Sequence, residues 1–190
     1  MLKEFEVKIP VDDLISVELK LKELGATFIG YKEEQDYYID TRPCIDLVSA
    51  DSALRLRVSR DIQTGNTRCE LTFKGPREKH DFAKIRKELT VGITDVETML
   101  DILKMLGFKV LAVIYKKRKI YQDGIYHIYL DEVEGLGKFI ELEYVSEYEY
   151  NELLIGDEVL KLVDKLSIKR NFITKSYLEL ILSRTGSTSL

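Results

Sequence analysis

The chain has 190 residues, of which 33% are charged and 45% hydrophobic, and its formal net charge is −4. This length suits one compact domain, and two cysteines are too few for a disulfide framework. No run approaches the ~20 apolar residues of a membrane span. The acidic balance argues against a nucleic-acid partner. The first ten residues, MLKEFEVKIP, lack the apolar segment of a secretion signal, so we expect a cytoplasmic protein without a membrane partner.

Hydrophobic periodicity and turn residues predict eight strands and four helices within one domain, residues 1–183, followed by a polar tail at 184–190. The second helix begins at a capping box, Thr94–Glu97, and ends before Gly107. In chain order the predicted elements are strand 3–9, helix 12–24, strands 36–40, 53–59, 68–74 and 83–91, the helix that ends at Leu106, strands 112–121, 125–131 and 138–145, and helices 157–166 and 174–182.

The charged residues of these strands share one face. Because successive strand residues point to opposite sides, Glu4, Glu6 and Lys8 lie together, opposite three apolar residues, and five further strands show the same phase. An antiparallel sheet with one solvated face would explain any single strand. The polar positions are almost purely charged, however, and four helices must also bury their apolar faces. Together these features favour a curled sheet with helices outside and charges lining a lumen.

The composition of this candidate lumen indicates its ligand. Its charges nearly cancel, and one or two divalent cations on the carboxylates would leave a surplus of about +2 to +4, enough to hold a polyphosphate. Carboxylates spaced ~6.6 Å along a strand suit hydrated Mg²⁺ or Mn²⁺, and arginine binds phosphate through its planar fork. The basic residues are Lys8, Arg55, Arg57, Lys74, Arg86, Lys116 and Arg118, and the acidic residues are Glu4, Glu6, Glu70, Glu88, Asp131, Glu141 and Glu143.

At these residues the sequence resembles the CYTH superfamily, the triphosphate tunnel metalloenzymes, over roughly positions 2–182. The spacing around Glu134–Gly137 is most similar to the CyaB-like, or class IV adenylate cyclase, branch. Seven family-like motifs occur in order: Glu4-x-Glu6-x-Lys8, Leu54–Arg57, Glu70–Pro76, Arg86-Lys87-Glu88, Lys116-x-Arg118 with Tyr121, Leu130–Gly137 with Phe139–Glu143, and Lys175-Ser176-Tyr177.

The resemblance implies an α+β fold, an antiparallel eight-stranded β-barrel with a charged lumen and flanking helices, that binds triphosphates with Mg²⁺ or Mn²⁺. Lys8 would assist the attacking water or contact phosphate beside Glu4 and Glu6, and Glu88 would orient an arginine or support a metal ligand. The implied phosphate ligands are Arg55, Arg57, Lys74, Arg86, Lys116, Arg118 and Lys175. The implied metal ligands are Glu4, Glu6, Asp131, Glu141 and Glu143.

Three functions are compatible with these residues. We place first a triphosphatase acting on tripolyphosphate, ATP or thiamine triphosphate, because a bare triphosphate needs only the charges already counted. A class IV adenylate cyclase, which converts ATP to cyclic AMP and pyrophosphate, is second because the sequence shows no clear adenine pocket. A non-catalytic polyphosphate- or nucleotide-binding module is third, since so many carboxylates would weaken pure anion binding. A homodimer stays open.

Overall fold

The computed structural model describes residues 2–146, 148 and 150–184. It contains eight strands and four helices. In chain order these are β1 (Leu2–Val11), α1 (Leu14–Glu23), β2 (Thr27–Asp40), β3 (Ala53–Asp61), β4 (Thr67–Lys74), β5 (Lys84–Ile93), α2 (Val96–Met105), β6 (Lys109–Asp123), β7 (Tyr126–Val133), β8 (Gly137–Ser146), α3 (Glu152–Lys165) and α4 (Tyr177–Arg184).

The eight strands form one closed barrel in the order β1-β5-β4-β3-β2-β6-β7-β8. Every neighbouring pair is antiparallel, including the pair β1 and β8 that closes the barrel. Closure leaves no exposed strand edge and gives each strand an inner and an outer face. The predicted antiparallel eight-stranded barrel with flanking helices is therefore confirmed.

The main hydrophobic core lies outside the barrel wall, beneath the helices. Phe5, Val7 and Ile9 on the outer face of β1 are fully buried. They belong to a cluster that includes Val17 of α1 and Val159 of α3, among other residues. Because the apolar faces of the strands pack against helices in this way, the charged faces must point into the barrel.

Two strands exceed their predicted lengths by more than three residues. The strand predicted at 36–40 begins at Thr27, and the strand predicted at 112–121 extends from Lys109 to Asp123. Apolar alternation is weak in the part of β2 that the pattern does not predict, residues 27–35, but this part pairs with β6 along almost its full length. Tertiary pairing therefore sets these bounds rather than local propensity.

The helix starts also differ from prediction. Helix α2 begins after Asp95, whose side chain accepts hydrogen bonds from the next turn. Helix α3 begins at Glu152 rather than Asp157, because Asn151 caps it in the same way. Helix α4 begins at Tyr177 rather than Thr174, and it continues through Arg184.

The predicted tail at 184–190 is described only at its first residue. Arg184 belongs to α4, and its guanidinium donates hydrogen bonds to the backbone carbonyls of Gly135 and Leu136. Residues 185–190 lie outside the described residues. Across the part of the chain that the structure describes, no helix is both long and apolar enough to cross a membrane.

Candidate functional site

A cavity of about 220 Å³ occupies the barrel lumen. Eight basic and six acidic side chains line it, so its formal charge is +2 in a chain whose net charge is −4. A positive lumen in an acidic protein is a local anion site. The basic residues are Lys8, Arg55, Arg57, Lys74, Lys84, Arg86, Lys116 and Arg118, and the acidic residues are Glu4, Glu6, Asp36, Glu88, Glu141 and Glu143.

Strand pairing collects five glutamates into what we call the carboxylate cluster. On β1 and β8, Glu6 lies opposite Glu143, and Lys8 lies opposite Glu141. The Lys8 ammonium is 3.1 Å from a Glu141 oxygen and 3.5 Å from a Glu6 oxygen. Lys74 forms an ion pair with Glu88 and lies 3.8 Å from Glu4. The cluster consists of Glu4, Glu6, Glu88, Glu141 and Glu143.

Glu4 and Glu143 are the members of the carboxylate cluster whose environment opposes ionisation. Burial raises the pKa of Glu4 well above its usual range, and the nearby carboxylates of Glu88 and Glu143 reinforce the effect against Lys74. Burial also raises the pKa of Glu143, although the Tyr129 hydroxyl donates a hydrogen bond to it. Carboxylates that resist ionisation in the ligand-free molecule are groups that a bound cation would stabilise in the charged form.

The cluster fits Mg²⁺ or Mn²⁺ by the chemistry of its donors. Both ions prefer oxygen ligands, and one or two carboxylates with several waters are enough to hold Mg²⁺. Within the described ranges, no three carboxylate, histidine or cysteine side chains form a preformed metal site. Ion pairs explain this, because Lys8 and Lys84 occupy Glu6 while Lys8 and Arg118 occupy Glu141. A divalent cation would therefore have to displace ammonium groups from these oxygens.

One side of the lumen, which we call the paired side, holds its cations in ion pairs. The Arg57 guanidinium donates to both oxygens of Asp36, at 2.6 and 2.8 Å, and lies 3.1 Å from Glu34. Lys116 lies 2.9 Å from Glu34 and 3.0 Å from Asp36. Burial alone would raise the pKa of Asp36, yet Arg57 and Lys116 hold it well below its usual range. These pairs are fully formed before any ligand binds.

Arg118 completes the paired side. Its guanidinium donates to both oxygens of Asp131, with Nε at 2.6 Å, and to Glu141. The Tyr177 hydroxyl donates to the same Asp131 carboxylate at 2.8 Å, and the Arg118 guanidinium carbon lies 4.1 Å from the centre of the Tyr129 ring. Arg118 is thus fixed in position by two carboxylates and an aromatic face.

The other side of the lumen, the unpaired side, consists of Arg55 and Arg86. Each is only 9% exposed. Considering only residues that the structure describes, no carboxylate lies within 4 Å of either guanidinium. Arg55 makes one long hydrogen bond, 3.4 Å to Thr72, and its buried Nε has no partner. Buried charges without partners are unfavourable, and an anionic ligand would satisfy both.

The start of α4 places an aromatic ring in the lumen. Ser176 and Glu179 form a capping box in which the Ser176 backbone amide donates to Glu179 at 2.7 Å and the Glu179 amide donates to the Ser176 hydroxyl at 3.2 Å. The Tyr177 ring between them lies 4.0 Å from the Lys8 ammonium. Lys8 also donates to the backbone carbonyl of Lys175 at 3.2 Å. The cap therefore fixes both Tyr177 and the Lys8 side chain.

Most of the predicted site residues converge on the lumen, with three exceptions. The Lys175 side chain is exposed, and only its carbonyl contacts the site. Asp131 is buried in the wall, so a metal role for it stays a prediction that requires Arg118 and Tyr177 to release its carboxylate. Glu70 lies opposite Arg57 on β3 but does not line the cavity. The roles assigned to the converging residues also stay predictions.

Three charged residues of the site are absent from the sequence-based prediction. Lys84 has the same phase as Arg86 and Glu88 on β5, so the two-residue spacing could have identified it. Glu34 and Asp36 lie on the inner face of β2. Glu34 belongs to the part of that strand that the sequence pattern does not predict, and Asp36 is the first residue of the predicted part. Glu34, Asp36 and Tyr38 are spaced two residues apart, and this spacing was the signal that could have identified the two acidic residues.

Comparisons with known proteins agree with this geometry. Residues 2–177 match the family model described as the CYTH domain. A Methanocaldococcus jannaschii protein with the provisional name adenylate cyclase is 38% identical over 179 residues, 93% of this chain and 97% of that protein. Adenylate cyclase CyaB of Aeromonas hydrophila is 30% identical over 162 residues, 85% of this chain and 77% of that protein. A solved Pyrococcus horikoshii structure superposes with a TM-score of 0.83 at 32% identity, covering 95% of this chain and 99% of that one.

Proposed function

The chain belongs to the CYTH family, and from that membership we propose that it is a divalent-metal-dependent triphosphatase. Its substrate would be tripolyphosphate or a related triphosphate, which it would cleave to phosphate and pyrophosphate or the corresponding diphosphate. The observation that carries this proposal is the unpaired side, where Arg55 and Arg86 are buried without a carboxylate partner among the described residues, beside the carboxylate cluster. Arginine side chains without carboxylate partners, next to a cluster of carboxylates, suit a complex of a divalent metal ion with a polyphosphate.

We assign the lumen residues different roles in phosphoryl transfer. Arg55 and Arg86 would bind phosphate oxygens directly, and Arg118, held by Asp131, would present a fixed guanidinium to them. Mg²⁺ or Mn²⁺ on Glu4, Glu6, Glu141 and Glu143 would supply neutralisation of phosphate charge and acidification of water. Lys8, fixed by the α4 cap, would orient the attacking water or contact the terminal phosphate.

The second candidate is adenylate cyclase, because the two relatives described above carry that name. Cyclisation would use the ribose 3′-hydroxyl as nucleophile and the α-phosphorus as target, so the base must be held in place. The two lumen aromatics nearest to the charges already contact protein cations, Tyr177 with Lys8 and Tyr129 with Arg118. A bare triphosphate needs neither ring, which is why we place hydrolysis first.

A product assay separates the candidate functions. The protein is incubated with tripolyphosphate, ATP or thiamine triphosphate, each with Mg²⁺ or Mn²⁺, and the products are identified by phosphorus NMR and chromatography. We expect phosphate and pyrophosphate from tripolyphosphate, and no turnover in EDTA until metal is restored. Formation of cyclic AMP from ATP would show that the protein is an adenylate cyclase rather than a triphosphatase. Binding of a triphosphate without formation of any product would show that the protein is a non-catalytic binding module.

A further inference from the structure

Lys84 forms an ion pair with Glu6, one of the proposed metal ligands. It lies on β5 directly opposite Glu6 on β1, it is 7% exposed, and its ammonium forms an ion pair with the Glu6 Oε1 atom. Lys84 also lines the lumen cavity, two residues before Arg86 on the same strand face. The residue thus contacts a candidate metal ligand and faces the space where a triphosphate would lie.

Two ammonium groups compete for the same oxygen. Lys8 lies 3.5 Å from Glu6 Oε1 and has a second partner in Glu141 at 3.1 Å, whereas among the described residues the one ion pair of Lys84 is with Glu6. Lys8 is held further by the backbone carbonyl of Lys175 at 3.2 Å and by the Tyr177 ring at 4.0 Å. Of the two lysines, Lys84 is therefore the less strongly held and would be the first to leave.

We propose that Lys84 is an exchangeable counter-ion, which neutralises Glu6 in the metal-free protein and moves to a phosphate oxygen when a divalent cation takes its place. This inference rests on the proposed function, because it needs both a metal and a triphosphate in the lumen. The exchange requires only rotation of a flexible four-carbon side chain. Arg86, about 6.6–6.8 Å away along the same strand face, would already hold phosphate oxygens within reach.

The exchange makes metal and triphosphate binding cooperative. A divalent cation that binds alone leaves Lys84 buried without its carboxylate, next to a second positive charge, which opposes binding. A triphosphate that arrives with the metal supplies the displaced ammonium with a new partner. The coupling is reciprocal, so each ligand increases the affinity for the other.

Lys84→Met tests the exchange because it removes the charge and keeps the length of the side chain. The primary measurement is the affinity for Mn²⁺ alone, by titration with electron paramagnetic resonance detection and without triphosphate. We expect Lys84→Met to bind Mn²⁺ about ten-fold more tightly, within the usual range of coupling energies, and its KM for Mn²⁺–tripolyphosphate to rise by about the same factor. Lys84→Arg keeps the charge and should leave the Mn²⁺ affinity near that of the wild type.

Lys119→Met is the matched control, since Lys119 forms an ion pair with Glu18 away from the lumen, and its Mn²⁺ affinity should not change. Lys84→Gln, together with circular dichroism of every variant, guards against a folding defect of Lys84→Met. Unchanged or weaker Mn²⁺ binding in folded Lys84→Met or Lys84→Gln would overturn the exchange. If Mn²⁺ binds more tightly but no variant binds or cleaves tripolyphosphate, the proposed function and the phosphate half of the exchange fail, while the competition at Glu6 stands.

Discussion

The two sides of the lumen hold similar cations in opposite states. On the paired side, Arg57 contacts Asp36 and Glu34, and Arg118 contacts Asp131 and Glu141. On the unpaired side, Arg55 and Arg86 are equally buried but have no carboxylate within 4 Å among the residues described. Arg55 and Arg57 are only two residues apart on one strand, so the difference comes from what the neighbouring strands present to them.

This difference separates two uses of a buried guanidinium. An arginine in an ion pair satisfies carboxylates, and removing it leaves them buried without a partner. An arginine without a partner adds unfavourable energy to the ligand-free protein and recovers it when an anion binds. We therefore expect the ion pairs of Arg57 to determine stability and the position of the wall, and the unpaired side, together with the fixed guanidinium of Arg118, to determine affinity for the substrate.

The largest expected effect is on stability. Arg57→Ala should lower the free energy of unfolding by about 3–5 kcal/mol, because Asp36 and Glu34 lose their main partner in a buried site. Arg55→Ala removes a buried charge that has no carboxylate partner and should cost less than about 1 kcal/mol. Urea denaturation of the two variants measures both values. Equal losses would remove the distinction between the two sides.

The next effect is on substrate binding and uses milder replacements that keep the charge. Arg55→Lys should raise the KM for tripolyphosphate about ten-fold, because an ammonium cannot reproduce the planar two-point contact with phosphate. Arg57→Lys should change KM by less than about three-fold, because Arg57 is already occupied by Asp36. Steady-state kinetics at saturating Mg²⁺ measures both. A larger effect from Arg57→Lys would make Arg57 a phosphate ligand, as the family resemblance implies.

The smallest effect comes from an ion pair outside the lumen. Burial alone would raise the pKa of Glu18, but hydrogen bonds from Lys119 and Tyr121 lower it from 4.5 to about 2. A depressed carboxyl pKa stabilises the fold above its unfolded value, and this contribution disappears as the pH falls from about 4.5 to about 2.

Glu18→Gln should therefore lower the free energy of unfolding by about 0.2–1 kcal/mol at neutral pH, as is typical of partly exposed pairs. The difference between the wild type and Glu18→Gln should shrink toward zero through that acidic range. Denaturation curves collected between about pH 7 and about pH 3 measure this difference. A gap that stays constant with pH would mean that Glu18 acts through packing rather than through its charge.

Much of the fold could be predicted from the strand periodicity. The alternation in β1, with Glu4, Glu6 and Lys8 against Phe5, Val7 and Ile9, is local to one strand, and the structure has the same two faces. Residues 27–35 of β2 could not be predicted as a strand, because Glu34 is a charged residue that becomes favourable inside the barrel only when Lys116 and Arg57 arrive from other strands.

The state of each cation could not be predicted for the same reason. Arg55 and Arg57 have the same spacing and the same flanking leucine, and nothing local distinguishes them. The register of β2 against β3 places Asp36 opposite Arg57 and Tyr38 opposite Arg55. A two-residue shift of this register would give both arginines different partners on β2. The distinction therefore depends on three-dimensional pairing and not on composition.

The seam between β1 and β8 has a consequence for biosynthesis. Glu4 and Glu6 are among the first residues of the chain, and Glu141 and Glu143 belong to the last strand, so their side of the lumen exists only once the ends of the barrel have met. Contacts of such long sequence separation form late and slowly. During translation, all eight strands of the barrel must therefore leave the ribosome before this acidic group can assemble.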